Sequence, residues 1–168
     1  EVSSQNKTWA FPTTVDSTSL PSDGCELTVP TKTGTEIRGM ISLSEDVYVW
    51  TENELFKITG TNPVGGYDFY RVAEIGLKDM RSVAYSDAMF WTDEMRFYYY
   101  DVGQGIQDIS TNKVAVSDID WTKQHHACYF NGEYHFLCYR TSLTQYVRYT
   151  YNPRTNGWRC RQSASQQL

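Results

Sequence analysis

The 168 residues carry 15 Lys and Arg against 20 Asp and Glu, and 15% of them are aromatic, with thirteen Tyr, seven Phe and five Trp. This length suits one domain with a real core, or three to four small repeats sharing one, and leaves little room for two independent domains. No run approaches the roughly 18 apolar residues of a membrane-spanning helix, and aromatic-rich sequence poor in Ala and Leu favours pleated, half-buried strands.

The charge is unevenly distributed. Residues 1–120 hold 9 Lys and Arg against 19 Asp and Glu, whereas residues 121–168 hold Lys123, Arg140, Arg148, Arg154, Arg159 and Arg161 against Glu133 alone. The two parts are expected to attract oppositely charged partners, each other included. Cys25, Cys128, Cys138 and Cys160 have irregular spacing and no CxxC, which reads as free thiols rather than a disulfide framework or zinc ribbon. The sequon Asn6-Lys7-Thr8 is a common chance triplet, and no signal peptide accompanies it. The chain begins at Glu1 rather than Met, which points to a piece of a longer product.

In chain order, residues 1–36 are rich in Ser, Thr, Pro and Gly, with two short apolar groups, Trp9-Ala10-Phe11 and Leu27-Thr28-Val29, read as strands of an opening segment. From Ile37 onward, strands of five to seven residues alternate with Gly, Asn and Asp turns. Asp46-Val47-Tyr48-Val49-Trp50-Thr51 followed by Glu54-Leu55-Phe56 recurs as Asp87-Ala88-Met89-Phe90-Trp91-Thr92 followed by Met95-Arg96-Phe97, so that the Trp, Thr and Phe positions each repeat about 41 residues apart. A third version runs from Tyr129 through Phe136 and on to Tyr146–Tyr149.

Units of this length predict an all-β fold of propeller-like, stacked four-stranded antiparallel sheets, about three to four blades of a complete or incomplete propeller, at about 37–76, 77–120 and 121–162, with a polar C-terminal tail. One such sheet cannot hide both of its faces, and stacking supplies the missing contact. A β-sandwich is the alternative.

Two stretches resemble known families. Tyr149-Thr150-Tyr151-Asn152-Pro153-Arg154-Thr155-Asn156-Gly157-Trp158 resembles the outer half of a kelch-type blade. There Pro153 presets a turn, Asn156-Gly157 tolerates positive φ, and Tyr151 and Trp158 pack between blades. Ile37–Ile41, Asp46–Thr51, Leu55–Gly60, Ile75-Gly76, Arg81–Tyr85 and Phe97–Asp101 are similar to blades in virion proteins of tailed bacteriophages, namely tail hub, nozzle and packaged-DNA-stabilising proteins. That resemblance implies a structural role in a virion.

Asn131-Gly132 is a strong two-residue hairpin signal. A type I′ turn there pairs Phe130 with Glu133, Tyr129 with Tyr134 and Cys128 with His135, and sets His126 on the Cys128 face. His126, Cys128 and His135 are thus a candidate metal set, although no fourth ligand is placed and ordinary strand packing is the preferred reading. Asp87, Asp93 and Glu94 are the nearest carboxylates to a glycosidase pair, but the Ser-x-Asp-x-Gly-x-x-Trp turn of sialidase-type blades is missing, and GxSxG, the P-loop and HExxH are absent. No catalytic residue and no cofactor are therefore expected. Candidate binding residues are Tyr98 and Tyr100, where at least one ring of Tyr98-Tyr99-Tyr100 should approach the surface, together with Arg148, Arg154 and Arg159.

The resulting expectation is a non-enzymatic structural protein of a tailed-phage virion, in the tail, neck or hub, acting as an assembly scaffold. Its partners are other virion proteins or further copies of itself, with non-specific contact with packaged DNA as a subsidiary partner reading and no membrane-spanning segment. A carbohydrate- or protein-binding propeller module in adhesion, and hence extracellular, is the alternative.

Overall fold

The structure, a computed structural model, describes residues 8–11, 25–31, 36–62 and 66–162. The two regular helical segments among them are single 3₁₀ turns, Met80–Ser82 and Val116–Asp118. The chain divides into two compact units, Glu1–Gly76 and Leu77–Leu168.

In the first unit, β1 (Thr8–Phe11) pairs antiparallel with β2 (Cys25–Thr28), with Val29 just beyond the second strand. A four-stranded sheet follows, made of β3 (Ile37–Leu43), β4 (Asp46–Thr51), β5 (Leu55–Asn62) and β6 (Gly66–Ala73) in that order. Val29 packs with Val49, Phe56 and Ile58 in its core. Between β4 and β5, the Thr51 hydroxyl accepts from the Asn53 and Glu54 amides at 3.3 and 3.0 Å, capping a two-residue turn. Gly76 lies against this turn: a Cβ there would sit 1.7 Å from the Glu52 carbonyl oxygen, so no other residue fits without moving backbone.

The second unit holds two more sheets of the same plan. β7 (Ala84–Tyr85), β8 (Met89–Thr92), β9 (Phe97–Asp101) and β10 (Gly105–Asp108) make one; β11 (His126–Phe130), β12 (Glu133–Arg140), β13 (Gln145–Asn152) and β14 (Gly157–Gln162) make the other. Each four-stranded sheet is a meander in which chain order equals strand order. Trp50 and Trp91 both lie on the second strand of their sheets and are fully buried, as the repeat predicts.

Pleating explains how the two sheets of the second unit stack. Alternate residues face one side, which sends Phe90 and Tyr99 of one sheet toward Tyr129, Tyr134 and Tyr151 of the other. Phe90 lies nearly flat on Tyr134 and Tyr129, with centroids 5.0 and 5.5 Å apart. Phe97 meets Phe136 edge-on at 5.0 Å and Trp158 at 5.3 Å. Tyr151 and Trp158 therefore do pack between sheets. Polar ends are satisfied too: the Tyr134 hydroxyl donates to the Ser82 carbonyl at 2.9 Å, and the Trp158 indole N–H to the Ile109 carbonyl at 2.6 Å.

Candidate functional site

The third sheet, β11–β14, has two unlike faces, and its register explains why. Asn131 and Gly132 have φ of +50° and +77°, the signature of a type I′ turn. That turn fixes Phe130 opposite Glu133, Tyr129 opposite Tyr134 and Cys128 opposite His135, as the Asn-Gly signal predicts. The four-residue loop Pro153–Asn156, with Asn156 at φ +50°, then aligns Asn152 with Gly157, Thr150 with Arg159 and Arg148 with Arg161.

Across the four strands, this register makes rows. Tyr129, Tyr134, Tyr151 and Trp158 share one inward row, and Ala127, Phe136, Tyr149 and Cys160 the next. The outward rows interleave with them: Phe130, Glu133, Asn152 and Gly157; then Cys128, His135, Thr150 and Arg159; then His126, Leu137, Arg148 and Arg161. The sheet is thus apolar toward the second sheet, while its other side is mostly polar and charged, with Phe130 and Leu137 exposed among those residues.

The outward face is hollowed. A concavity of about 450 Å³ is lined by Asn131, Glu133, His135, Arg148, Thr150, Asn152, Arg159 and Arg161. Beyond Arg148 and Arg161 lies a second hollow of about 290 Å³ that those two share with Leu137 and Gln162.

The charges on this face are unequally matched. Glu133 takes Arg159 as an ion-pair partner and accepts from the Asn152 amide at 3.1 Å. Arg148 and Arg161 stand directly opposite each other on β13 and β14, and neither forms an ion pair or hydrogen bond with a described side chain. Like charges in directly opposed positions destabilise a sheet, so the pair is a local cost to the fold and a ready-made site for an oxyanion. Elsewhere in the C-terminal part, Arg140 is committed to Asp118 and Lys123 lies 5.9 Å from the Tyr139 ring. Hydrogen bonds from Ser142, then the Arg140 guanidinium, hold the Asp118 carboxyl below its usual range.

Of the residues expected from sequence, Arg148 and Arg159 line the concavity. Arg161, which sequence reasoning left out of the candidate set, completes it; its signal was the alternation with Arg159. Arg154 lies in the exposed loop after β13, and its amide donates to Asn152 Oδ1, so it is not among the concavity residues. Tyr98 and Tyr100 share one face of β9 and are 7% and 8% exposed. Of the triplet, Tyr99 is the ring that stays partly exposed.

His126, Cys128 and His135 do share the outward face, as predicted. His135 Nδ1 lies 3.1 Å from the Thr150 hydroxyl, and among the described residues no three His, Cys, Asp or Glu side chains group closely enough to hold a metal ion. The carboxylates considered for hydrolysis are in or beside turns. Asp93 accepts from the Met95 and Arg96 amides and from the Tyr98 hydroxyl, Glu94 pairs with Lys78, and Asp87 is in the exposed β7–β8 turn.

A feature without a sequence signal is His125. It is 2% exposed against Trp121 and Phe136, its Nδ1 lies 3.2 Å from the Lys123 carbonyl, and its Nε2 has no hydrogen-bond partner, with Asp79 Oδ2 4.0 Å away. Burial pushes its pKa down, so the ring is neutral at physiological pH.

No protein-family model matches the chain, and no match to it was found among curated proteins. Its own residues therefore carry the functional reading.

Proposed function

We propose that this protein is a non-enzymatic assembly component, a structural protein of a tailed-phage virion in the tail, neck or hub. The observation that carries the assembly reading is the uncompensated Arg148–Arg161 pair on the outward face of the third sheet. Two arginines aligned at a cost to the sheet serve a partner, not the fold, and arginine is enriched where protein surfaces meet. The attribution to a tailed phage rests on the resemblance of the blade-like runs between Ile37 and Asp101 to virion proteins. Stacked meanders supply a rigid scaffold on which such a face is held.

Quantitative mass spectrometry of purified particles tests this reading. A fixed copy number per particle supports it. Absence from particles, with specific binding on a glycan array, would transfer the protein to adhesion.

A further inference from the structure

β14 is the last strand of its sheet. Among the described residues it pairs with β13 alone, and Arg159 through Gln162 are exposed. An open strand edge is a template for another strand, and proteins ordinarily guard such edges with charge. Here the charge has one sign and a regular spacing. Arg159 and Arg161 alternate on the outward face, about 6.6–6.8 Å apart as residues i and i+2 of a strand are, with Arg148 directly behind Arg161 on β13.

We infer that the β14 edge accepts an extended acidic segment of a partner protein as a fifth strand, with carboxylates at alternate positions facing Arg159 and Arg161. The mode is β-augmentation: backbone hydrogen bonds supply affinity, and alternate side chains supply specificity. A strand laid against β14 sets its outward side chains about 4.5–5.5 Å from the arginines, the distance at which opposite-charge cross-strand pairs stabilise a sheet.

The same charges select against other occupants. The β14 edge of a second copy would bring arginine against arginine. An apolar strand would leave Arg161 and Arg148 without a counter-charge. A nucleic-acid backbone brings phosphates but no N–H and C=O ladder for the edge. Glu133, which holds Arg159, is the competitor that an incoming carboxylate must displace.

This inference rests on the proposed reading of the face as a contact surface, and its test is separate from particle analysis. Fluorescence anisotropy of the full chain compares three labelled probes: a hexapeptide alternating Thr and Glu, a hexapeptide with the same residues in two blocks, and an oligothymidylate. The alternating peptide should bind at least about tenfold more tightly than the blocked one, a difference of about 1.4 kcal/mol.

Arg159→Gln/Arg161→Gln should remove that preference without lowering the melting temperature, and Glu133→Gln should strengthen binding. Hydrogen exchange should show β14 amides that do not pair with β13 becoming protected in the complex. No binding of the alternating peptide, equal binding of the two peptides without protection of β14, or preferential binding of the oligothymidylate would each overturn the inference. Loss of the protein from purified particles would overturn the proposed function and leave this result unaffected.

Discussion

Phe90 of the second sheet and Tyr134 of the third lie ring on ring, their centroids 5.0 Å apart and their planes 13° from parallel. Both are fully or almost fully buried. They are the centre of the stack in the Leu77–Leu168 unit, and the Tyr134 hydroxyl, bonded to the Ser82 carbonyl, fixes its edge. Replacing Phe90 with Ala should cost about 3–5 kcal/mol, the range for a buried aromatic truncated to a methyl. Tyr134→Phe should cost about 1–3 kcal/mol, because it strands a buried acceptor without opening a cavity. Urea unfolding measures both; equal costs for the two would contradict this division of roles.

Acid should weaken the same unit in two steps. Burial holds His125 below the ordinary histidine range near 6.5. Its contribution is therefore complete above that range and lost as pH falls below it, when the unfolded chain binds the proton first. Asp79, Arg81 and His126 are the charged or titratable neighbours that bear on it. Hydrogen bonding from Arg81 lowers the Asp79 pKa to about 2, so its contribution is present above the usual carboxylate range and disappears as pH falls toward about 2. Unfolding midpoints at pH 7.5, 5.5 and 3 should fall at each step, and His125→Asn should abolish the upper one. An unchanged midpoint from pH 7.5 to 5.5 would rule out the buried neutral imidazole.

The cysteines should separate by reactivity. Cys128 and Cys160 are exposed free thiols, whereas Cys138 is buried and its pKa is pushed up to about 12 by desolvation. Iodoacetamide should label Cys128 and Cys160 in the native protein and reach Cys138 only after unfolding. Peptide mapping reads the outcome directly, and rapid native labelling of Cys138 would contradict the packing of β12. Cys128→Ser should leave stability unchanged.

The repeat of about 41 residues was enough to place Trp50 and Trp91 on equivalent strands, because burial on both faces of a second strand demands an aromatic-rich run. It was not enough to set register. In both hairpins the Thr hydroxyl accepts the amide two residues on, Thr51 from Asn53 and Thr92 from Glu94, but the next amide goes to Thr51 in the first, whereas in the second Asp93 accepts from Met95 and Arg96. Thr and Asp both cap turns, so the sequence alone leaves the choice open. The Asn131-Gly132 hairpin was legible to the residue because two positive φ values suit few other pairs.

The site was half legible. Arg148 and Arg159 were visible as basic residues near aromatics, but placing Arg161 opposite Arg148 requires the length of the Pro153–Asn156 loop. For Tyr98 and Tyr100, alternation says only that they share a face, not whether that face is covered.

Thermal unfolding of Arg148→Ala/Arg161→Ala beside the parent protein tests most directly whether the outward face serves a partner and not the fold. Relief of two opposed like charges is worth about 0.2–1 kcal/mol. In low salt the account predicts a melting temperature at or above the parent's. The difference should vanish near 1 M salt, where the screening length is about 3 Å. A melting temperature several degrees below the parent's in low salt would show that the arginines hold the sheet together, and would contradict the account.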